Sequence, residues 1–228
     1  MRRPLRIVGT LFAGAGVLAA AWAFTVWQWQ DPFTGLYTSQ QQQHLAVLYE
    51  KESAAYAPPV ERRTPVSVQR RAIARAARRY RRGLQTGDAV ARLIVPRIGL
   101  NAIVVNGTDG ATLTKGPGRY TKSYVPGEGE LVYIAGHRTT YGAPFARIDR
   151  LRRGDAVTIE APYGTFTYRV RNSVIVPAHD VKRLRSAGRE VIALQACHPR
   201  FFATHRYIVY ATPVRVVPRG GKPYAVRT

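Results

Sequence analysis

Hydrophobic residues follow three successive patterns along this chain. Residues 7–27 form a run of 21 positions without a charged side chain, which is long enough for a helix to cross a bilayer. Residues 67–82 repeat apolar positions every three or four residues, the period of an amphipathic helix. From residue 89 onward, short runs rich in β-branched residues alternate with Gly, Pro, Asn and Asp, which is typical of strands and turns.

The first pattern predicts a membrane anchor. Three arginines precede the apolar run, whereas the segment 31–53 after it contains three acids and a single Lys. Tryptophans crowd the end of the run, where an interfacial aromatic belt is expected: Trp22, Trp27 and Trp29. By the positive-inside rule, the N-terminus is cytoplasmic and the rest of the chain is extracellular.

A cleaved signal peptide is the alternative for this segment. The sequence AWA at 21–23 resembles the small-residue site that precedes signal-peptide cleavage. The apolar run continues through FTVW beyond that site, however, and it is long for the apolar region of a signal peptide. We therefore favour an uncleaved single-pass anchor, and with either interpretation the remaining domain is exported.

The second pattern belongs to a basic linker. Residues 36–56 are compatible with a short helix, and prolines within 57–65 end it. One face of the helix predicted over 67–82 is almost entirely arginine, and its apolar stripe consists of Val68, Ala72, Ile73, Ala76, Ala77 and Tyr80. This helix either lies on anionic lipid or wall polymer, or docks its stripe on the following domain. We favour docking.

The third pattern predicts an all-β domain. Strand-like runs such as AVARLIV and GTFTYRVRNSVIVP recur at short intervals, separated by turn residues. They do not alternate with long helices, so a parallel βαβ arrangement is not indicated. Regularly spaced short strands with turn chemistry between them are typical of a β-barrel or β-sandwich.

Charge and cysteine content leave the function of this domain open. Lys and Arg total 35 against 13 acidic residues, a net charge of +22 that favours contact with polyanions or anionic membranes. Exported domains usually pair their cysteines as disulfides, and this chain has only Cys197. That residue is either a reactive thiol or a buried, inert side chain.

The positions of three residues favour a reactive thiol. VIALQAC ends at Cys197 and RYIVYA begins at Arg206, so a hairpin of these two strands would set both residues at its open end. Of the five histidines, His137 also follows a hydrophobic strand, in ELVYIAGH. Strands ending at one mouth of a barrel would bring His137 to Cys197, an arrangement suited to nucleophilic catalysis. A guanidinium beside them would stabilise an oxyanion.

The motifs GHRTTYGAPF, LQACHP and HRYIVYA, in this order, resemble the sortases, the cysteine transpeptidases of Gram-positive surfaces. The details are most similar to class E sortases of actinobacteria, and the resemblance covers about residues 89–217. It implies a closed β-barrel of about eight strands with short helices, preceded by the transmembrane helix. It also implies Cys197 as nucleophile, His137 as general acid and base, and Arg206 as the group that holds the peptide and stabilises the oxyanion.

The resemblance also implies the substrates. The enzyme would cleave an LAXTG- or LPXTG-like sorting signal between Thr and Gly through a thioacyl intermediate. It would then join the protein to an amine of a peptidoglycan precursor or of a pilin-like subunit. We expect no cofactor and no metal, because the acidic residues of the chain are scattered among basic ones. We expect no specific nucleic-acid partner.

Further candidates for substrate contact carry weaker signals: Tyr120, Thr139, Tyr141, Ala196 and His198. The two tyrosines either line a peptide groove or are rim residues with packed rings. Thr139 either contacts substrate or stabilises its loop, and His198 either tunes the thiol or has a loop role. Ala196 stands where sortases usually have threonine, so a hydroxyl contribution to the oxyanion site is absent there.

We divide the chain into a cytoplasmic N-terminus (1–6), a transmembrane anchor (7–29), an extracellular helical and basic linker (30–87), a catalytic barrel (88–218) and a C-terminal tail (219–228). An L,D-transpeptidase would show an SxGC motif, which LQACHP lacks. A non-catalytic basic module that binds anionic wall polymer or nucleic acid is the other alternative. It explains the charge but not the three residues at strand ends.

Overall fold

The computed structural model describes residues 2–29 and 32–226, with the side chains of residues 6–24 and 34–226. Its α-helices are α1 (Arg2–Trp29), α2 (Pro32–Ala55), α3 (Val66–Gly83) and α4 (Gly110–Leu113). The strands are β1 (Ala89–Val95), β2 (Leu100–Asn106), β3 (Gly118–Arg119), β4 (Leu131–Ala135), β5 (Ala156–Ala161), β6 (Gly164–Pro177), β7 (Val191–His198), β8 (His205–Pro218) and β9 (Tyr224–Ala225).

Eight of these strands form a closed barrel. Their order is β6-β5-β1-β2-β3-β4-β7-β8, and the antiparallel pairing of β8 with β6 completes the ring. Most neighbours are antiparallel, but β2–β3 and β4–β7 are parallel pairs. Closure gives each of these strands a partner on both sides, although β3 pairs only two residues with β2, and β9 adds a short ninth strand to β8. The predicted all-β barrel of about eight strands is confirmed.

The barrel interior is filled by the alternate side chains of its strands. In β5, Val157, Ile159 and Ala161 are buried while the residues between them are partly exposed, the period of two that a strand with one covered face requires. In contrast, β4 is buried along its whole length. Val132 and Ile134 belong to the barrel core, whereas Leu131, Tyr133 and their neighbours pack on the outer face.

Helix α3 covers one part of the barrel with its apolar stripe. Ile73 is 1% exposed and Ala77 is fully buried within the main core. The Tyr80 hydroxyl donates to the carbonyl oxygen of Val90 in β1 at 2.8 Å. The arginines of the opposite face, such as Arg75 and Arg78, are exposed. The docking interpretation of this helix is therefore confirmed.

Helix α2 also packs against the barrel, mainly through polar contacts. The Gln42 side chain accepts from the Ile103 N–H at 2.7 Å and donates to the Ile103 carbonyl at 3.0 Å. Leu45 and Tyr49 join a small apolar cluster with β1 and β2. The Tyr49 hydroxyl donates to the Glu160 carbonyl at 2.6 Å. Helices α2 and α3, which precede the predicted barrel in sequence, thus both pack on its surface.

We expect Ile73→Ala to destabilise the chain by about 2–5 kcal/mol, because it removes a fully buried side chain and leaves a cavity. The free energy of unfolding from denaturant titration measures the effect. The matched control is Arg78→Ala on the exposed face of α3, for which a change within about 0.5 kcal/mol is expected. Equal stabilities of the two variants would contradict the docking of this helix.

Candidate active site

The β7–β8 hairpin positions the thiol and the guanidinium. Cys197 and Arg206 are register partners, but they lie next to the loop 199–204 that connects the two strands and not, as we predicted, at the open end of the hairpin. Cys197 is half-buried and in no disulfide. Nη1 of Arg206 donates to the carbonyls of Ala203 at 2.7 Å and His205 at 3.0 Å. The loop backbone therefore holds the guanidinium in place beside the thiol-bearing strand.

The parallel pairing of β4 with β7 positions the imidazole. Ala135 is opposite Gln195, and the Gly136 N–H donates to the Gln195 carbonyl at 3.0 Å. Continuing this register by two residues places His137 alongside Cys197. A Cβ on Gly136 would lie 2.7 Å from the Phe145 ring, so the backbone approaches this ring as only glycine allows.

These three residues line one cleft of about 260 Å³. Tyr120, which we predicted as a substrate contact, also lines it. The wall includes Tyr133, whose hydroxyl donates to the Gln195 side-chain oxygen at 3.2 Å. Leu113, Ala135 and Leu184 contribute apolar surface to the cleft, and Thr108 also lines it. The cleft thus presents a thiol, an imidazole and a guanidinium to any ligand that enters it.

The other predicted contact residues lie outside this lining. Tyr141 packs its ring against His137, with 5.1 Å between the ring centroids. Thr139 is half-buried in the loop after His137. Ala196 is fully buried in the barrel core, because successive side chains of β7 point to opposite faces. A threonine hydroxyl at this position would therefore point into the core rather than toward the Cys197 side of the strand.

The loop after His137 is held by a hydrogen bond back to His137 and by another to helix α2. The Phe145 N–H donates to the His137 carbonyl at 3.1 Å. Tyr141 has a φ of 52°, a left-handed conformation that is costly for a bulky residue. Its N–H donates to Oγ1 of Thr34 in α2 at 2.8 Å. Helix α2 therefore supports the strained segment that carries the ring packed on His137.

Burial sets the protonation preference of the imidazole. It lowers the pKa of His137 below its ordinary value of 6.5, because the charged form loses solvation. The Nε2 atom is buried and has no hydrogen-bond partner among the described residues. A neutral ring with an unpartnered nitrogen can accept a proton from a thiol or an amine in the cleft.

Arg138 is a residue of this site that the sequence did not single out. Its side chain is 5% exposed, and Nη1 donates to the Cys197 carbonyl at 3.3 Å and to Nδ1 of His198 at 3.0 Å. Nη2 pairs with Asp149 at 3.1 Å. The guanidinium lies over the Tyr207 ring at 5.8 Å. It connects the loop that follows β4 to the backbone of the thiol residue.

The contact with Arg138 also fixes the tautomer of His198. A guanidinium only donates, so Nδ1 of His198 is the acceptor and a neutral ring carries its proton on Nε2. The ring packs near Tyr207 at 6.1 Å and does not line the cleft. His198 thus contributes to the support of the Cys197 strand end.

The sequence comparison decides the family. Residues 93–214, more than half of the chain, match the family model described as the Sortase domain. The chain belongs to the sortase family. The predicted resemblance to sortases is therefore confirmed, and the β-barrel has the sortase fold.

Individual sortases show how far the likeness extends. Sortase D of Bacillus subtilis is 34% identical over 134 residues, which are 57% of this chain and 66% of that protein. Sortase SrtE1 of Streptomyces coelicolor is 34% identical over 104 residues, 41% of this chain and 29% of that protein. The chain thus spans less than two thirds of these relatives. The structure of sortase E from Streptomyces avermitilis superposes with a TM-score of 0.54 at 29% identity, covering 59% of this chain and 93% of that one.

We expect Arg138→Met to lower the free energy of unfolding by about 1–3 kcal/mol, because it removes buried charge-assisted hydrogen bonds. Without this contact, Nδ1 of His198 is no longer restricted to the acceptor role, so the neutral ring can carry its proton on either nitrogen. Nitrogen-15 NMR of the imidazole detects this change of tautomer. A purely structural role would leave that signal unchanged.

Arg147→Met is the matched control for this prediction. Arg147 is exposed and belongs to the same connection between β4 and β5. Its variant should keep both stability and tautomer. An unaltered His198 spectrum in Arg138→Met would contradict the assigned contact.

Proposed function

We propose that this sortase is a membrane-anchored extracellular transpeptidase. It cleaves an LAXTG- or LPXTG-like sorting signal between Thr and Gly and joins the protein to an amine of the cell wall or of another subunit. The observation that carries the proposal is the convergence of Cys197, His137 and Arg206 on one cleft. Membership of the sortase family supports the reaction class.

Acylation begins with a proton transfer. The thiol of Cys197 gives its proton to the neutral imidazole of His137, and the resulting thiolate attacks the Thr carbonyl carbon of the signal. The tetrahedral intermediate collapses when His137 returns that proton to the departing Gly nitrogen. A thioester joins the Thr residue to Cys197, and the fragment that begins with Gly leaves.

Transfer reverses the direction of proton movement. An incoming amine attacks the thioester carbonyl, and His137 accepts the proton that the amine loses on forming the amide. The thiolate of Cys197 is the leaving group and recovers a proton from the imidazolium. Each turnover therefore exchanges one peptide bond for another, and the enzyme returns to its initial protonation state. Water in place of the amine gives hydrolysis.

Arg206 is assigned to the oxyanion of both tetrahedral intermediates. Only its Nη1 contacts the loop carbonyls, while Nε and Nη2 donate no hydrogen bond to the described residues. These N–H groups are available to a substrate oxygen in the cleft that Arg206 lines. A planar fork with fixed donors stabilises developing negative charge without reorganisation.

The proposed anchor is helix α1. Residues Arg6–Phe24 are long and apolar enough to cross a membrane, and none of this stretch is buried against the rest of the molecule. An exposed apolar helix of this length suits the hydrocarbon core of a bilayer. The arginines that precede it support a cytoplasmic N-terminus and an extracellular barrel.

Mass spectrometry of the full chain in detergent tests the nucleophile. Incubation with an LAXTG peptide should give an adduct equal to the peptide without its Gly-containing fragment, because the chain has a single thiol. Addition of a glycine-based amine should convert the adduct into a new amide. The Cys197→Ala variant should form neither product while remaining folded.

Two outcomes would oppose the proposal. An adduct that persists in Cys197→Ala would place the nucleophile elsewhere. No adduct, together with resistance of Cys197 to iodoacetamide until denaturation, would favour the non-catalytic basic module.

We expect Arg206→Lys to lower kcat by roughly 100- to 1,000-fold, the range found when an oxyanion donor is removed. A lysine ammonium is a point charge and cannot reproduce the planar donor fork. The matched control is Arg215→Lys, an exposed arginine of the same strand, which should retain near-normal kcat. Near-normal turnover of Arg206→Lys would refute the oxyanion assignment, and the mass-spectrometric test of Cys197 would be unaffected.

A further inference from the structure

A second cleft of about 900 Å³ lies near the start of β7. We call it the basic cleft, because five cationic side chains line it: Arg171, Lys182, Arg183, Arg185 and Arg189. Val191, at its edge, precedes Cys197 by six residues along β7, a distance of about 20 Å in an extended strand. The basic cleft is therefore distinct from the candidate active site.

The cationic side chains reach the basic cleft from separate elements. Arg171 is on β6, Lys182 and Arg183 are on the 3-10 turn Val181–Leu184, and the other two precede β7. Of these five cations, only Arg183 forms an ion pair within the described residues, with Asp180 at 3.5 Å. The other four cations are exposed and form no ion pair among the described residues, so each can pair with an anionic ligand.

The acid in the wall of the basic cleft, Glu190, forms no ion pair with these cations among the described residues. The Glu190 carboxyl accepts from the Tyr168 hydroxyl at 2.6 Å and from the N–H groups of Gly127 and Gly129 at 3.0 Å each. Burial also raises the pKa of Glu190. Its oxygens are thus engaged by the barrel, and the arginines remain available to a ligand.

The rest of the wall is mostly apolar and aromatic, with Asn172 and Thr212 as its polar members. Leu131, Val191, Pro213 and Val226 line it together with Tyr210. Concave sites that combine apolar surface with a few convergent polar groups are typical of small-molecule sites. The cationic rim and the apolar wall together suit a ligand with a compact, multiply charged head and a less polar remainder.

We propose that the basic cleft binds a pyrophosphate or phosphodiester group. Phosphate oxygens match the guanidinium fork, and a pyrophosphate concentrates several negative charges within the span of one cleft. A carboxylate carries a single charge and leaves most of the arginines unpaired. The proposal goes beyond the transpeptidase reaction and does not depend on Cys197.

The basic cleft shares one turn with the candidate active site. Leu184 lines the active-site cleft, whereas the flanking Arg183 and Arg185 line the basic cleft. A phosphate group held by these arginines therefore contacts the residues on either side of a wall residue of the active site. The ligand would thus lie adjacent to one wall of the active-site cleft.

Isothermal titration of the full chain with inorganic pyrophosphate, in phosphatidylcholine nanodiscs, tests the site. We expect saturable binding with one ligand per chain. The triple variant Arg171→Gln, Arg185→Gln, Arg189→Gln should raise Kd by roughly tenfold or more, since charge-assisted hydrogen bonds are lost. Cys197→Ala should bind as the original chain does, so this result is independent of the proposed catalysis.

The matched control removes the same charge elsewhere. Arg75, Arg78 and Arg79 lie exposed on α3 and form no ion pair among the described residues. Their triple replacement by Gln should change Kd less than about twofold, because net charge alone acts diffusely. Equal losses in the two triple variants, or no saturable binding at all, would overturn the proposal.

A second titration distinguishes the source of the phosphate. Nanodiscs that contain phosphatidylglycerol offer a phosphodiester headgroup at the membrane surface. Weaker pyrophosphate binding in these nanodiscs supports occupancy of the basic cleft by a lipid headgroup. Unchanged binding supports a ligand that is not a constituent of the bilayer. If phosphatidylglycerol also weakened pyrophosphate binding by the triple variant of the basic cleft, the proposed site would be contradicted.

Discussion

The parallel pairing of β4 with β7 is the constraint on which the candidate site depends. It sets Ala135 opposite Gln195 and so carries His137 alongside Cys197. Side chains alternate along a strand, so a slip of one residue would turn Cys197 into the barrel core. The same register buries Ile192, Leu194 and Ala196 inside the barrel. Packing of the core and presentation of the thiol are therefore two consequences of one alignment.

Closure of the barrel gives this alignment its rigidity. Strand β8 pairs with β6 from end to end, and its first half, His205 to Ala211, also pairs with β7 on the other side. The end of β8 that carries Arg206 is consequently held by Val176 of β6 as well as by Cys197. Preorganised donors are effective in catalysis because they need not reorganise during the reaction.

The sequence predicted those features that depend on local pattern. The hairpin placed Cys197 opposite Arg206, the end of a hydrophobic strand indicated His137, and the spacing of Ile73 and its neighbours gave the docked face of α3. The sequence did not indicate Arg138 as a site residue, because its contacts with β7 arise from the pairing of strands that lie about 60 residues apart in sequence. In a chain with 35 Lys and Arg, one further arginine carries no local signal.

The packing of α2 on the barrel was not predicted from the sequence for a related reason. Its contacts are made by a polar side chain, Gln42, with backbone groups of β2, and a hydrophobic period does not reveal such bonds. The basic cleft likewise requires β6, β8 and the connection to β7 to be folded together. Tertiary placement decides which of many arginines converge, whereas composition records only that they are numerous.

The contact between α2 and the loop after His137 bounds how far the site lies from the anchor. Thr34 accepts the Tyr141 N–H, and it follows the end of α1 at Trp29 by five residues. Five residues span at most about 18 Å even when extended. If α1 crosses the bilayer as proposed, the residue that supports the loop after His137 lies within about 18 Å of the C-terminal end of the membrane helix. A site so tethered is suited to substrates that are themselves confined near the membrane surface.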